Sequence, residues 1–117
     1  MSFLNHELKM ERLADKKCIH GDLVQVTLAE ISEYLEQIPD WTFEGNKISK
    51  KFTFQNYKDA MEFVNKVAEI AEQENHHPHM EVSYNNVVIS LTTHSINGLS
   101  KNDFIIAAKI NNINKKD

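Results

Sequence analysis

The chain carries one cysteine, Cys18, two prolines, three glycines and one tryptophan in 117 residues. A single thiol cannot close an internal disulfide, which excludes a disulfide-stapled secreted scaffold. Cys18 lies in a polar stretch beside His20 without further catalytic signature, and reads as an inert thiol. No run approaches the ~20 apolar residues that span a bilayer. The N-terminus, MSFLNHELKMERLADKK, lacks both an apolar h-region and an A-x-A cleavage site, so no signal peptide is expected and the cytoplasm is the expected location. Basic residues are outnumbered, 13 to 17, for a net charge of −4. A binder of nucleic acid by general electrostatics needs the opposite balance. Neither HExxH nor CxxC occurs.

What remains is ordinary for a soluble globular domain: 41% hydrophobic and 26% charged residues. The length fits one domain with its own core, without a metal or disulfide staple. Residues 1–26 carry mixed charge and little apolar periodicity, and read as an extension with at most a short helix around Leu4 to Ala14. Thr27 and Glu30 form a capping box, and Leu28, Ile31, Leu35 and Ile38 recur at helical spacing until Pro39-Asp40. Trp41, Phe43, Ile48, Phe52 and Phe54 flank a Glu44-Gly45-Asn46 turn, which predicts a hairpin interrupted in pattern by Lys50. Asn56 offers an N-cap for a helix to about Glu74, with Asp59 in its first turn. A second hairpin is predicted around Asn85-Asn86, pairing Tyr84 with Val87, Val82 with Ile89 and Met80 with Leu91. A last helix is expected from about Lys101 to Asn112, before a frayed tail at 114–117. The order α-β-β-α-β-β-α predicts an α+β domain over 27–113: a four-stranded antiparallel sheet with three helices on one face.

Four of the six histidines fall between positions 76 and 94, three of them in the run His76-His77-Pro78-His79. Imidazole gives and takes protons near neutral pH, its unperturbed pKa being ~6.5. Proton transfer and metal binding are therefore the two chemical readings. Adjacent His76 and His77 on a regular element do not easily aim both rings at one ion, which weakens the metal reading. Continuing the predicted ladder sets His79 opposite Thr92 and His77 opposite His94, although Pro78 cannot donate a ladder bond and breaks the pairing nearby. Glu72 and His76, four apart, share a face if the helix persists that far. Ser100-x-x-Asp103 reads first as a helix cap. Tyr84 fits equally a hairpin-end aromatic, and Trp41 a core anchor or a pocket wall.

Glu72-x-x-x-His76-His77-Pro78, followed by Tyr84, His94 and Asp103, resembles the signature of the pterin-4a-carbinolamine dehydratases. Leu91-Thr92-Thr93-His94 and Gly98-Leu99-Ser100 are similar to further segments of that family. The resemblance covers residues 27–113 and includes the element order. It implies dehydration of 4a-hydroxytetrahydropterin to quinonoid dihydropterin, which recycles the cofactor of aromatic amino acid hydroxylases, with no metal or organic cofactor. It implies catalytic roles for His76, His77 and His94: His76 and His94 as the acid/base pair, and His77 as the residue that binds and orients substrate. Glu72 would support His76, with Pro78, Tyr84 and Asp103 as further binding or supporting positions. As partners it implies the pterin substrate, a homodimer or homotetramer, and an aromatic amino acid hydroxylase, with no membrane and no direct nucleic-acid contact. The alternative is a dimerisation or regulatory module of the same fold, as vertebrate members provide for a homeodomain transcription factor, or a related role in pterin metabolism. Two positions depart from many members: His79 stands where an acidic or other polar residue is usual, and Asn97 where glycine is.

Overall fold

The computed structural model describes residues 11–114. The predicted helix before Ala14 falls largely outside them, as does all of the tail beyond Asn114. Helix α1 spans Leu28–Leu35, strands β1 and β2 span Thr42–Glu44 and Lys47–Thr53, helix α2 spans Tyr57–Glu74, strands β3 and β4 span His79–Ser83 and Asn86–Leu91, and helix α3 spans Lys101–Asn114. The strands form one antiparallel sheet in the order β1-β2-β4-β3. The α+β architecture read from the sequence is the one observed.

The local signals act as elementary chemistry requires. Thr27 Oγ1 accepts the Glu30 amide at 3.1 Å, while Glu30 Oε1 accepts the Thr27 amide at 2.8 Å, closing the capping box. Asn56 Oδ1 accepts the Asp59 amide at 2.8 Å and starts α2. That helix ends because Asn75 turns left-handed at φ 52°, a conformation asparagine tolerates better than most residues. Gly45, at φ 65°, makes the turn of the first hairpin.

Alternation along the strands separates two faces. Ile48, Phe52, Val87, Ile89 and Leu91 are buried with Phe63 and Val67 of α2 and with Phe104, Ile106 and Ile110 of α3. Lys50 shares this inner face, but its ammonium passes over the Phe52 ring at 4.6 Å and reaches Asp40 and Asn111, each at 3.5 Å. Trp41 is a core anchor, 4% exposed, whose indole N–H donates to Asn111 Oδ1 at 2.9 Å. The opposite face presents Ser49, Lys51, Glu81, Val88 and Ser90.

Three expectations need correction. Leu28 is 74% exposed, so the inward stripe of α1 begins at Ile31. The second hairpin turns at Tyr84-Asn85, not Asn85-Asn86, and pairs Ser83 with Asn86, Val82 with Val87 and Met80 with Ile89. Strand β2 explains the shift: Thr53 pairs with Asn86, and the Phe54 amide donates to Asn85 O at 2.8 Å, so both asparagines are held by the central strands and the left-handed residue becomes Tyr84, at φ 53°. The displacement is two residues, so each side chain keeps its predicted face. Finally, residues 11–26 are packed onto the domain. Leu13, in a one-turn 3₁₀ helix, is 2% exposed, and the Lys109 ammonium donates to Ala14 O at 2.8 Å. Burial, reinforced by the Glu74 carboxylate, pushes the Cys18 thiol up to about 12, which keeps it protonated and unreactive at neutral pH.

Candidate functional site

The histidine run leaves the C-terminus of α2, and His94 opens a one-turn 3₁₀ segment, His94–Ile96, after β4. Left-handed Asn97, at φ 53°, reverses the chain, and Thr93 and Gly98 close the loop with N–H···O bonds of 2.8 and 3.3 Å. Asparagine therefore meets the backbone demand of this turn. Alternation then divides the neighbouring threonines. Thr92 faces the open side of the sheet, and Thr93 points under it.

On the open side lies a cavity of about 390 Å³ lined by His77, His79 and His94. Lys47, Ser49, Glu81, Ser90 and Thr92 complete its polar wall. Under the sheet is a buried network. Asp103 is 0% exposed, and its Oδ1 lies 2.6 Å from His76 Nε2. Its Oδ2 accepts the Thr93 hydroxyl at 2.7 Å and the Ser100 amide at 3.0 Å. Thr93 and Ser100 hydroxyls are themselves 2.7 Å apart. A carboxylate only accepts, so His76 donates from Nε2, and its Nδ1 makes no hydrogen bond among the described residues.

The predicted residues thus divide into two groups. His77, His79 and His94 share the cavity, although not as opposed ladder residues: β3 begins at His79, which pairs with Ser90. His76 belongs to the buried network, its side chain 11% exposed. Glu72 does not reach His76. Its Oε2 lies 2.7 Å from His77 Nε2, because the left-handed Asn75 ends the helix and with it the i,i+4 geometry. Asp103 does cap α3 through the Ser100 amide, and the same carboxylate holds His76. The two readings of that residue are one arrangement. Tyr84 is not brought to the site within the chain. It sits 65% exposed at the far end of the hairpin, about 16 Å along the strand from His79 at ~3.3 Å per residue. Pro78 joins α2 to β3. His79 pairs with Glu81 at 3.3 Å, both side chains largely exposed. Among the described residues no group of three or more His, Cys, Asp or Glu side chains is arranged to hold a metal ion, and no helix is long and apolar enough to cross a membrane.

Sequence reasoning missed the role of Thr93 under the sheet. Strand alternation through Leu91, an inward residue, carried the signal. It also missed Glu74 and Asn102, two polar residues with 8% and 1% exposure, because polar residues at helix ends ordinarily face water.

The domain is an α+β fold with an imidazole-lined cavity on the open sheet face and a buried Asp–His pair beneath the sheet. The model of the family described as pterin 4 alpha carbinolamine dehydratase matches residues 24–113, and the chain belongs to that family of hydro-lyases. A protein of Nitrosospira multiformis with the provisional name pterin-4-alpha-carbinolamine dehydratase is 42% identical over 89% of this chain and 94% of its own length. One of the same provisional name from Nitrosomonas eutropha is 46% identical over 84% of this chain and 89% of its own. The crystal structure of a transcriptional coactivator/pterin dehydratase from Brucella melitensis superposes with a TM-score of 0.73 at 34% identity, covering 77% of this chain and 98% of that one. A pterin dehydratase-like RuBisCO assembly factor of the alpha-carboxysome shares the fold, with a TM-score of 0.55 at 19% identity.

Proposed function

We propose that the protein dehydrates 4a-hydroxytetrahydropterin to quinonoid dihydropterin by histidine acid–base catalysis, recycling the pterin spent by aromatic amino acid hydroxylases. The observation that carries this reading is the convergence of His77 and His94 on one cavity, with His76, next to His77 in the chain, held by buried Asp103. In the reaction the C4a–O bond breaks and the hydroxyl leaves as water, taking a proton from an acid. A base takes the N5 proton, and the N5–H electron pair becomes the C4a=N5 bond. Imidazole suits both tasks near neutral pH, and each such proton transfer is worth ~10²–10⁴ in rate.

His76 and His94 are the acid/base pair, and His77 binds and orients the ring. Asp103 fixes the His76 tautomer and directs Nδ1 to the substrate. Glu72 supports His77, where its carboxylate lies. A pterin that cannot dehydrate, such as 7,8-dihydropterin, is expected to shift the ring resonances of His77 and His94 on titration. Unmoved His77 and His94 signals at saturating pterin contradict the placement of substrate in this cavity. A protein that binds a partner protein and has no turnover would instead be the regulatory module.

A further inference from the structure

Behind the site runs the segment Cys18–Val26, which bonds the end of α2, the start of α3 and the turn that carries His94. The Cys18 amide donates to the buried Glu74 carboxylate at 2.8 Å, two residues before His76. Ile19 bonds the Asn102 side chain through both its amide and its carbonyl, at 3.0 and 2.7 Å, next to Asp103. The Val26 amide donates to Leu99 O at 2.9 Å. Between these anchors, Gln25 Nε2 donates to Ile96 O at 2.8 Å, inside the turn that begins with His94.

The Gln25 amide lies where a side chain at position 98 would be. A Cβ on Gly98 would meet Gln25 Cδ at 2.8 Å and Nε2 at 2.9 Å. The loop His94–Asn97 is short, closed at its base by the Thr93–Gly98 bonds, and its cavity side carries only His94. A contact on its outer side therefore sets the angle at which that ring enters the cavity.

We propose that Gln25 is a positioning residue for His94, acting through the Ile96 carbonyl, with Gly98 supplying the space that Gln25 needs. This rests on the reading of His94 as a member of the acid/base pair. The segment 18–26 is then a strap that holds the site from behind. It sets where His94 stands and touches no substrate itself.

Two variants remove the same contact by different means. Gln25→Glu keeps the length and loses the donor. Gly98→Ala fills the space and pushes the amide away from Ile96 O. Gln25 is exposed, so its variant should fold as wild type does, whatever Gly98→Ala does. Each variant is expected to lower kcat about tenfold, because misplacing a catalytic group by a fraction of an ångström is that harmful, with KM within about twofold of wild type. Their combination should be no worse than either alone, since one interaction is lost once. In substrate-free protein the His94 ring resonances should move in both variants, while those of His79 on β3 stay in place. An unchanged His94 spectrum in Gln25→Glu overturns the proposal, as does wild-type kcat in a protein that dehydrates pterin. If wild type has no dehydratase activity the proposed function fails, and the His94 spectrum alone still decides whether Gln25 positions that ring.

Discussion

Replacing His76 and His94 together by alanine is expected to reduce kcat/KM for 4a-hydroxytetrahydropterin by about 10³-fold or more, close to the uncatalysed rate. Each proton transfer contributes ~10²–10⁴, and groups that act as a unit are not additive, so either single variant alone should lose most of what the pair provides. The two positions differ in what else they hold. His94 lies in an exposed turn, and its ring makes no hydrogen bond among the described residues, so His94→Ala should keep the wild-type urea midpoint. His76 supplies one of three donors to a carboxylate with no exposure. Its removal leaves Asp103 Oδ1 without that donor, at a cost of about 1–3 kcal/mol in unfolding free energy. Loss of turnover with a near-native midpoint in His94→Ala thus separates chemistry from stability. Wild-type turnover in the double variant would remove histidine catalysis at these positions.

The second large effect is expected at Asp103. Asparagine keeps the shape but offers one acceptor oxygen and one NH₂. The Thr93 hydroxyl and the Ser100 amide both need the oxygen, which turns the NH₂ toward His76 Nε2. That nitrogen must then accept, so the ring proton moves to Nδ1 and the free lone pair is lost from the substrate side. A histidine fixed in the wrong tautomer by such a swap loses up to ~10⁴ in kcat; here a loss of about 10²-fold or more is expected, with the His76 ring nitrogens exchanging roles in a ¹⁵N spectrum. Asp103→Ala removes the acceptor altogether, strands three donors and should destabilise the fold by about 3 kcal/mol or more in urea denaturation. An Asp103→Asn protein with wild-type kcat and an unchanged tautomer would show that the buried pair serves the helix cap alone.

Much of the fold was legible because the signals are local and chemical. Thr27 with Glu30 and Asn56 with Asp59 act as written, and Gly45 turns where expected. The face of every strand residue followed from alternation, so even a hairpin register displaced by two residues left the polar face intact. The displacement itself was not legible. It depends on β2 and the residue after it, far away in sequence: Phe54 holds Asn85 across 31 residues, and Thr53 takes Asn86 into its own ladder. The same limit governs the site. That His77 and His94 meet follows from parity and proximity in the chain. That Glu72 serves His77 rather than His76 depends on one left-handed residue, Asn75. The double use of Asp103 required knowing that the end of α2 packs against the start of α3. Residues 11–26 showed no periodicity because they are held by backbone bonds to Glu74, Asn102 and Leu99, which leave no pattern of apolar spacing.

The central claim, that imidazoles alone dehydrate a pterin carbinolamine here, is tested most directly by stopped-flow absorbance of 4a-hydroxytetrahydropterin decay with purified wild-type protein in the presence of excess chelator. Decay to quinonoid dihydropterin is expected to be faster than in buffer by orders of magnitude, at a rate proportional to protein and unchanged by the chelator. Decay at the buffer rate, or an acceleration abolished by chelation and restored by a divalent metal, would contradict it.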